Sequence, residues 1–262
     1  MDLGIAGRAA LVCGASSGIG LASARALAGE GVRVALAARR ERETAAAAAA
    51  IGQDFGVEAR AVIADLTAEG ACERVVAEAS AAFGGLDILV ANAGGPRRAY
   101  FTELSDADWE TAFRLSYMTT VRLIRAALPH MEKGGWGRVV TIGSLVTHEP
   151  HADLALSSGL RTGLVALTRI LAREHAKHGV TVNLVSPGYT RTQRQIELAN
   201  AGREETGRGA MQAFRALAAE IPAGRLAEPE EIGAVVAFLC SQPAGYVNGV
   251  NLLVDGGHVR GI

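Results

Sequence analysis

At 262 residues the chain has room for one large α/β domain and is short for two. Hydrophobic residues make up 49% and charged residues 20%, a balance that suits an ordinary globule and excludes general disorder. Lys and Arg total 26 against 27 Asp and Glu, so a formal net charge of −1 provides no overall field for nucleic acid or an anionic membrane.

The opening MDLGIAGRAALVCGAS lacks a basic leader, a long apolar run and a cleavage site, and no apolar stretch approaches the ~20 residues of a membrane span. A cytoplasmic protein is expected. Cys13, Cys72 and Cys240 are scattered, without CxxC or a histidine at ligand spacing, so neither a disulfide framework nor a metal site is expected.

In chain order, the first apolar run, 9–13, leads through Gly14-Ala15-Ser16-Ser17-Gly18-Ile19-Gly20 into a helical stretch at 20–29. Gly14 permits a tight turn, Gly18 lets backbone approach a pyrophosphate, and Gly20 lets helix and strand pack closely. The free amides of the helix start, with Ser16, Ser17 and Ile19 around them, then face the phosphates. The second run, 32–38, ends in Ala37-Ala38-Arg39-Arg40. NAD binders usually place a carboxylate there for the ribose 2′-hydroxyl. An arginine instead pairs a 2′-phosphate, so Arg39 favours NADP(H) over NAD(H).

An alanine-rich helix at 42–52 follows, then runs at 59–64, 86–91, 138–143, 180–185 and 250–254. Helical stretches at 68–83, 106–132, 154–178 and 228–240 fall between them. The runs are rich in Val, Leu and Ile without polar alternation, which suits parallel strands covered on both faces. The expected fold is therefore α/β: a Rossmann-type, doubly wound parallel sheet of about seven strands, with helices on both faces, in a single domain. Residues 191–221 break the rhythm, with Gly202, Gly207 and Gly209 interrupting helical sequence. A lid-like insertion is expected there, at the carboxyl end of a strand.

Further landmarks are Asp65-Leu66 after the third run, Asn92-Ala93-Gly94 after the fourth and Ser144 after the fifth. Pro187-Gly188 with Thr192 follows the sixth, and Asp255-Gly256-Gly257 lies near the end. With the glycine turn, these landmarks resemble the short-chain dehydrogenase/reductase family over nearly the whole chain, notably its 3-oxoacyl-acyl-carrier-protein reductase-like members. The resemblance implies that Asp65 and Leu66 border the adenine and that Asn92, Ala93 and Gly94 line the cofactor. It places Pro187, Gly188 and Thr192 near the nicotinamide, and implies a small carbonyl or alcohol substrate and a homotetramer or homodimer.

The family's chemistry uses Asn, Ser, Tyr and Lys, the last two as YxxxK. The tyrosine, with an ordinary pKa near ~10, is tuned down by the lysine and exchanges a proton with the substrate oxygen. Thirteen residues past Ser144 stands Ser157, four further on stands Arg161, and seven past Trp109 stands Ser116. Only Ser144 matches the four. Arg161 keeps a charge and can hold ribose hydroxyls, but it cannot relay a proton. Ser157 is a weak acid, and its oxygen stops roughly 4 Å short of a phenol's reach. His148, His151, Tyr100, Tyr117 and Tyr189 are alternative proton donors. Arg97 and Arg98 are either an exposed basic pair or partners for an anionic substrate. Two readings stay open: an oxidoreductase with Ser144, Ser157, Arg161 and Ser116 at its catalytic positions, and a nucleotide-binding subunit or sensor with weak or no activity.

Overall fold

The strand β1 (Ala9–Cys13) is buried along its whole length, because its side chains alternate between two separate apolar layers. Ala9, Leu11 and Cys13 enter one layer, and Ala10 and Val12 the other. Such double coverage is why the strand sequences show no polar alternation. The other strands are β2 (Arg33–Ala38), β3 (Ala59–Ile63), β4 (Ile88–Ala91), β5 (Gly137–Ile142), β6 (Val180–Pro187) and β7 (Asn251–Val254). In this computed structural model, which describes residues 2–201 and 210–261, they form one parallel sheet in the order β3-β2-β1-β4-β5-β6-β7.

One face is covered by α3 (Ala71–Phe83), α5 (Thr119–Gly134) and α6 (Ala155–His175), through Val75, Leu123, Met131 and Ala172 among others. The other carries α1 (Gly18–Gly29), α2 (Glu41–Phe55) and α9 (Pro229–Leu239), through Leu27, Ile51, Ile232 and Val236. The doubly wound α/β expectation holds. The chain order reverses between β1 and β4, so a crevice opens at the carboxyl ends of those two strands.

Two details differ from the sequence expectation. At the sheet's two edges, β3 leaves Arg60, Ala61 and Ile63 exposed and β7 leaves Leu252 exposed, so neither is covered on both faces. The single helix expected at 106–132 is α4 (Asp106–Ala112), a π-helical turn (Phe113–Met118) and then α5. Hydroxyls stabilise the widened turn by bonding back to main-chain carbonyls: Ser116 to Ala112 at 2.7 Å and Thr119 to Arg114 at 2.9 Å. Within the insertion, α7 (Gln193–Ala201) and α8 (Ala210–Glu220) are helical, while Gly202, Gly207 and Gly209 lie outside the described residues.

Candidate active site

The turn after β1 is held open by what it lacks. Gly14 and Gly18 adopt φ of +61° and +58°, where a side chain is strained. A Cβ on Gly20 would stand 2.3 Å from the Gly14 carbonyl oxygen, so only glycine lets α1 begin this close to β1. Ser17 caps α1 with extended backbone, and its side chain makes no capping bond. The first amides of the helix therefore open onto the crevice.

A cavity of about 590 Å³ runs from that turn across the ends of β1 and β4. Its wall includes Gly14, Ser16, Ser17, Gly18, Ile19, Arg39, Asp65, Leu66, Asn92, Ala93, Gly94 and Thr192, so the sequence-predicted cofactor residues of the first four strands converge. Gly20 lies behind the wall and acts through packing. Arg40, beside the predicted Arg39, reaches across to the turn: its Nη2 donates to Ser17 Oγ at 2.7 Å and to Ser16 Oγ at 3.0 Å. This bridge joins the end of β2 to the phosphate turn, and adjacency in sequence could not reveal which arginine makes it. The Asp65 carboxyl is held below its ordinary range, chiefly by bonds from the Thr67 amide and hydroxyl.

A second cavity, about 240 Å³, adjoins the first, and Ile19, Asn92, Gly95, Thr192 and Arg194 border both. Ser144, Ser157, Arg161, Pro187 and Gly188 line it. The Ser144 oxygen accepts from the Val146 amide at 3.4 Å, which leaves its O–H free to donate. Ser157 and Arg161 are only 8% and 7% exposed. Arg161 Nη1 donates to the carbonyls of Ile142 at 2.8 Å and Gly143 at 3.0 Å, while its Nε–H has no partner. Burial, then the charge of Arg194, pushes this guanidinium down to about 10, so it stays protonated at neutral pH.

Other candidates scatter. Ser116 borders neither cavity and donates to Ala112 in the π turn. Tyr117 stacks on Phe113 at 5.3 Å, and Tyr100 is exposed. His148 is exposed, whereas His151 has a buried Nε2 without a partner and faces His258 at 6.3 Å. Of the three tyrosines, only Tyr189 lines the second cavity, edge-on to His258 at 5.3 Å. Burial holds its phenol above the ordinary value, so the group is protonated at neutral pH.

A family model described as enoyl-(acyl carrier protein) reductase matches residues 14–258. The 3-oxoacyl-[acyl-carrier-protein] reductase of Escherichia coli (strain K12) is 34% identical over 251 residues, covering 96% of this chain and 97% of the relative. The chain belongs to the short-chain dehydrogenase/reductase family. Among solved members of the family, L-sorbose reductase from Gluconobacter frateurii, complexed with NADPH and L-sorbose, superimposes with a TM-score of 0.96 at 33% identity and 100% coverage of both chains. An NADPH-bound short-chain oxidoreductase from Pseudomonas aeruginosa PAO1, described as containing an atypical catalytic center, gives 0.89 at 31% identity, covering 98% of this chain and 99% of that one. At the positions that the resemblance aligns with this family's tetrad, the second cavity is lined by Ser144, Ser157 and the buried Arg161, and among the described residues no lysine lines it. Among the described residues no His/Cys/Asp/Glu cluster suits a metal ion, and no helix is long and apolar enough to cross a membrane.

Proposed function

We propose that the chain is an NADP(H)-dependent oxidoreductase that interconverts a small carbonyl compound and its alcohol in the second cavity. The shared wall carries this reading: a molecule bound in one cavity abuts a molecule bound in the other, with Ser144 in the lining of the second. The residues present fit the cofactor. The glycine turn leaves backbone room for a pyrophosphate, and Ser16, Ser17, Arg39 and Arg40 form a basic, hydroxylic cradle suited to a 2′-phosphate. Asp65 and Leu66 would border the adenine, and Asn92, Ala93, Gly94, Pro187, Gly188 and Thr192 would hold the remainder.

When bound, NADPH supplies the hydride. The chain's own residues handle the oxygen. Ser144 donates a hydrogen bond to the carbonyl oxygen, and the protonated Arg161 stabilises the negative charge that grows there. Its bonds to Ile142 and Gly143 also fix the end of β5 beside Ser144. Ser157, lacking a phenol's reach, delivers the proton through a water that it holds. Apolar side chains left exposed, Ile170 on α6 and Leu252 on β7, support assembly into a homodimer or homotetramer.

A second reading, a nucleotide-binding subunit or sensor, draws on the same Ser157 and Arg161, since neither is a ready proton relay. NADPH oxidation across a panel of ketones and aldehydes separates the two. The enzyme reading predicts turnover that falls about 10²-fold or more in Ser144→Ala. Tight NADPH binding with no turnover on any carbonyl would favour the sensor.

A further inference from the structure

The second cavity is lopsided in charge. Arg98, Arg161 and Arg194 line it, and among the described residues no Asp or Glu does. Arg98 is neutralised from behind by Asp153, its Nε donating to Oδ2 at 3.0 Å. Arg97, the neighbour that the sequence also singled out, turns away to Asp108 at 2.9 Å and to the Glu103 carbonyl at 2.8 Å. Arg194 differs from both. Its Nη2 donates to the carbonyls of Gly95 at 2.7 Å and Pro96 at 3.1 Å, and among the described residues it has no carboxylate partner. The nearby Glu197 accepts from Gln193 at 3.2 Å.

Two guanidinium groups thus border one small cavity with, among the described residues, only main-chain carbonyls as partners. Arg161 is buried, with an unpartnered Nε–H, and feels the charge of Arg194. The positive charge of the exposed Arg194, beside that of the buried Arg161, favours entry of an anion. The cofactor's phosphates have their own cradle at Ser16, Ser17 and Arg40. Arg194 and its closer partner Gly95 border both cavities, while its other partner, Pro96, borders the second alone.

Resting on the oxidoreductase reading above, we propose that the substrate is a small oxo acid, or the hydroxy acid it becomes, with its carboxylate paired to Arg194 and its carbonyl oxygen on Ser144. With Nη2 engaged by Gly95 and Pro96, the Nε–H and Nη1–H groups of Arg194 remain to donate charge-assisted hydrogen bonds to the carboxylate. In the reduction, a C–H bond of the dihydronicotinamide breaks and its hydride forms the new C–H bond at the carbonyl carbon. A proton from solvent completes the hydroxyl, and NADP⁺ is released.

The test pairs 2-, 3- and 4-oxo acids of four to eight carbons with their methyl esters. Binding to the NADP⁺ complex is read by calorimetry, alongside kcat/KM with NADPH. The expected result is a preference of about tenfold or more for the acid in at least one pair, collapsing in Arg194→Gln and partly restored in Arg194→Lys. No acid preference in any pair, or one that survives Arg194→Gln, overturns the proposal. So does an Arg194→Gln variant that weakens NADPH instead, which assigns the guanidinium to the cofactor phosphates. NADPH affinity is titrated separately on the wild-type protein, so failure of the cofactor reading is distinguishable from failure of this one.

Discussion

On the proposed reading, Ser157 and Arg161 stand in for the family's acid and its tuning cation, with different reach and acidity. Arg161 sits in a slot that fits an ammonium as well, because its two short bonds go to the carbonyls of Ile142 and Gly143. The double variant Ser157→Tyr with Arg161→Lys is therefore expected to raise kcat on a simple activated ketone, by up to the ~10²–10⁴-fold that a positioned general acid supplies. Ser157→Tyr alone should gain less, since the phenol then lacks the compact ammonium that lowers its pKa. Steady-state kinetics with saturating NADPH check both. Wild-type turnover insensitive to Ser157→Ala and Arg161→Ala would move the chemistry to Tyr189 or His151. The residues that make up the turn were legible because a glycine there has one steric purpose. Arg194 was not: nothing in the sequence says that a side chain on α7 folds over to Gly95 and Pro96.

Among elements, the junction of β1 and α1 is the least tolerant. A Cβ at position 20 would sit 2.3 Å from the Gly14 carbonyl oxygen, and backbone cannot move aside cheaply. Gly20→Ala is expected to cost about 1–3 kcal/mol of stability, as overpacking does, and to weaken NADPH binding with it. Denaturant unfolding and a cofactor titration measure the two effects. The carboxyl ends of α5 and α6 are joined by His175 Nδ1 and Glu132 Oε1 at 2.6 Å. The His175 bond, aided by the charges of His178 and Lys177, holds the Glu132 carboxyl below its ordinary range. A carboxyl depressed in the fold adds stability above its unfolded pKa and loses it as pH falls through the folded one. Glu132→Gln should therefore lower Tm at neutral pH, and the gap to wild type should close below about pH 4. A gap that persists in acid melts would show that the pair contributes packing and not charge. Most strands were legible because coverage on both faces forces runs of Val, Leu and Ile. β3 misled because an edge position is set by topology. The π turn at Phe113–Met118 stayed hidden within a helical pattern, since the hydroxyls that stabilise it are equally at home facing solvent.

Across the whole molecule, the order β3-β2-β1-β4-β5-β6-β7 brings residues from the ends of separate strands to one crevice. The family resemblance implied that convergence, whereas the division into two adjoining cavities emerged only from the packed chain. Everything proposed about chemistry depends on what the larger cavity holds, so the decisive measurement is calorimetric titration of NADPH and NADH into the wild-type protein, Arg40→Ala and Arg39→Asp. The account predicts NADPH tighter by about tenfold or more, from charge-assisted bonds to the 2′-phosphate. That margin should shrink in Arg40→Ala and reverse in Arg39→Asp. Equal affinities for the two cofactors, unchanged by either substitution, would contradict it.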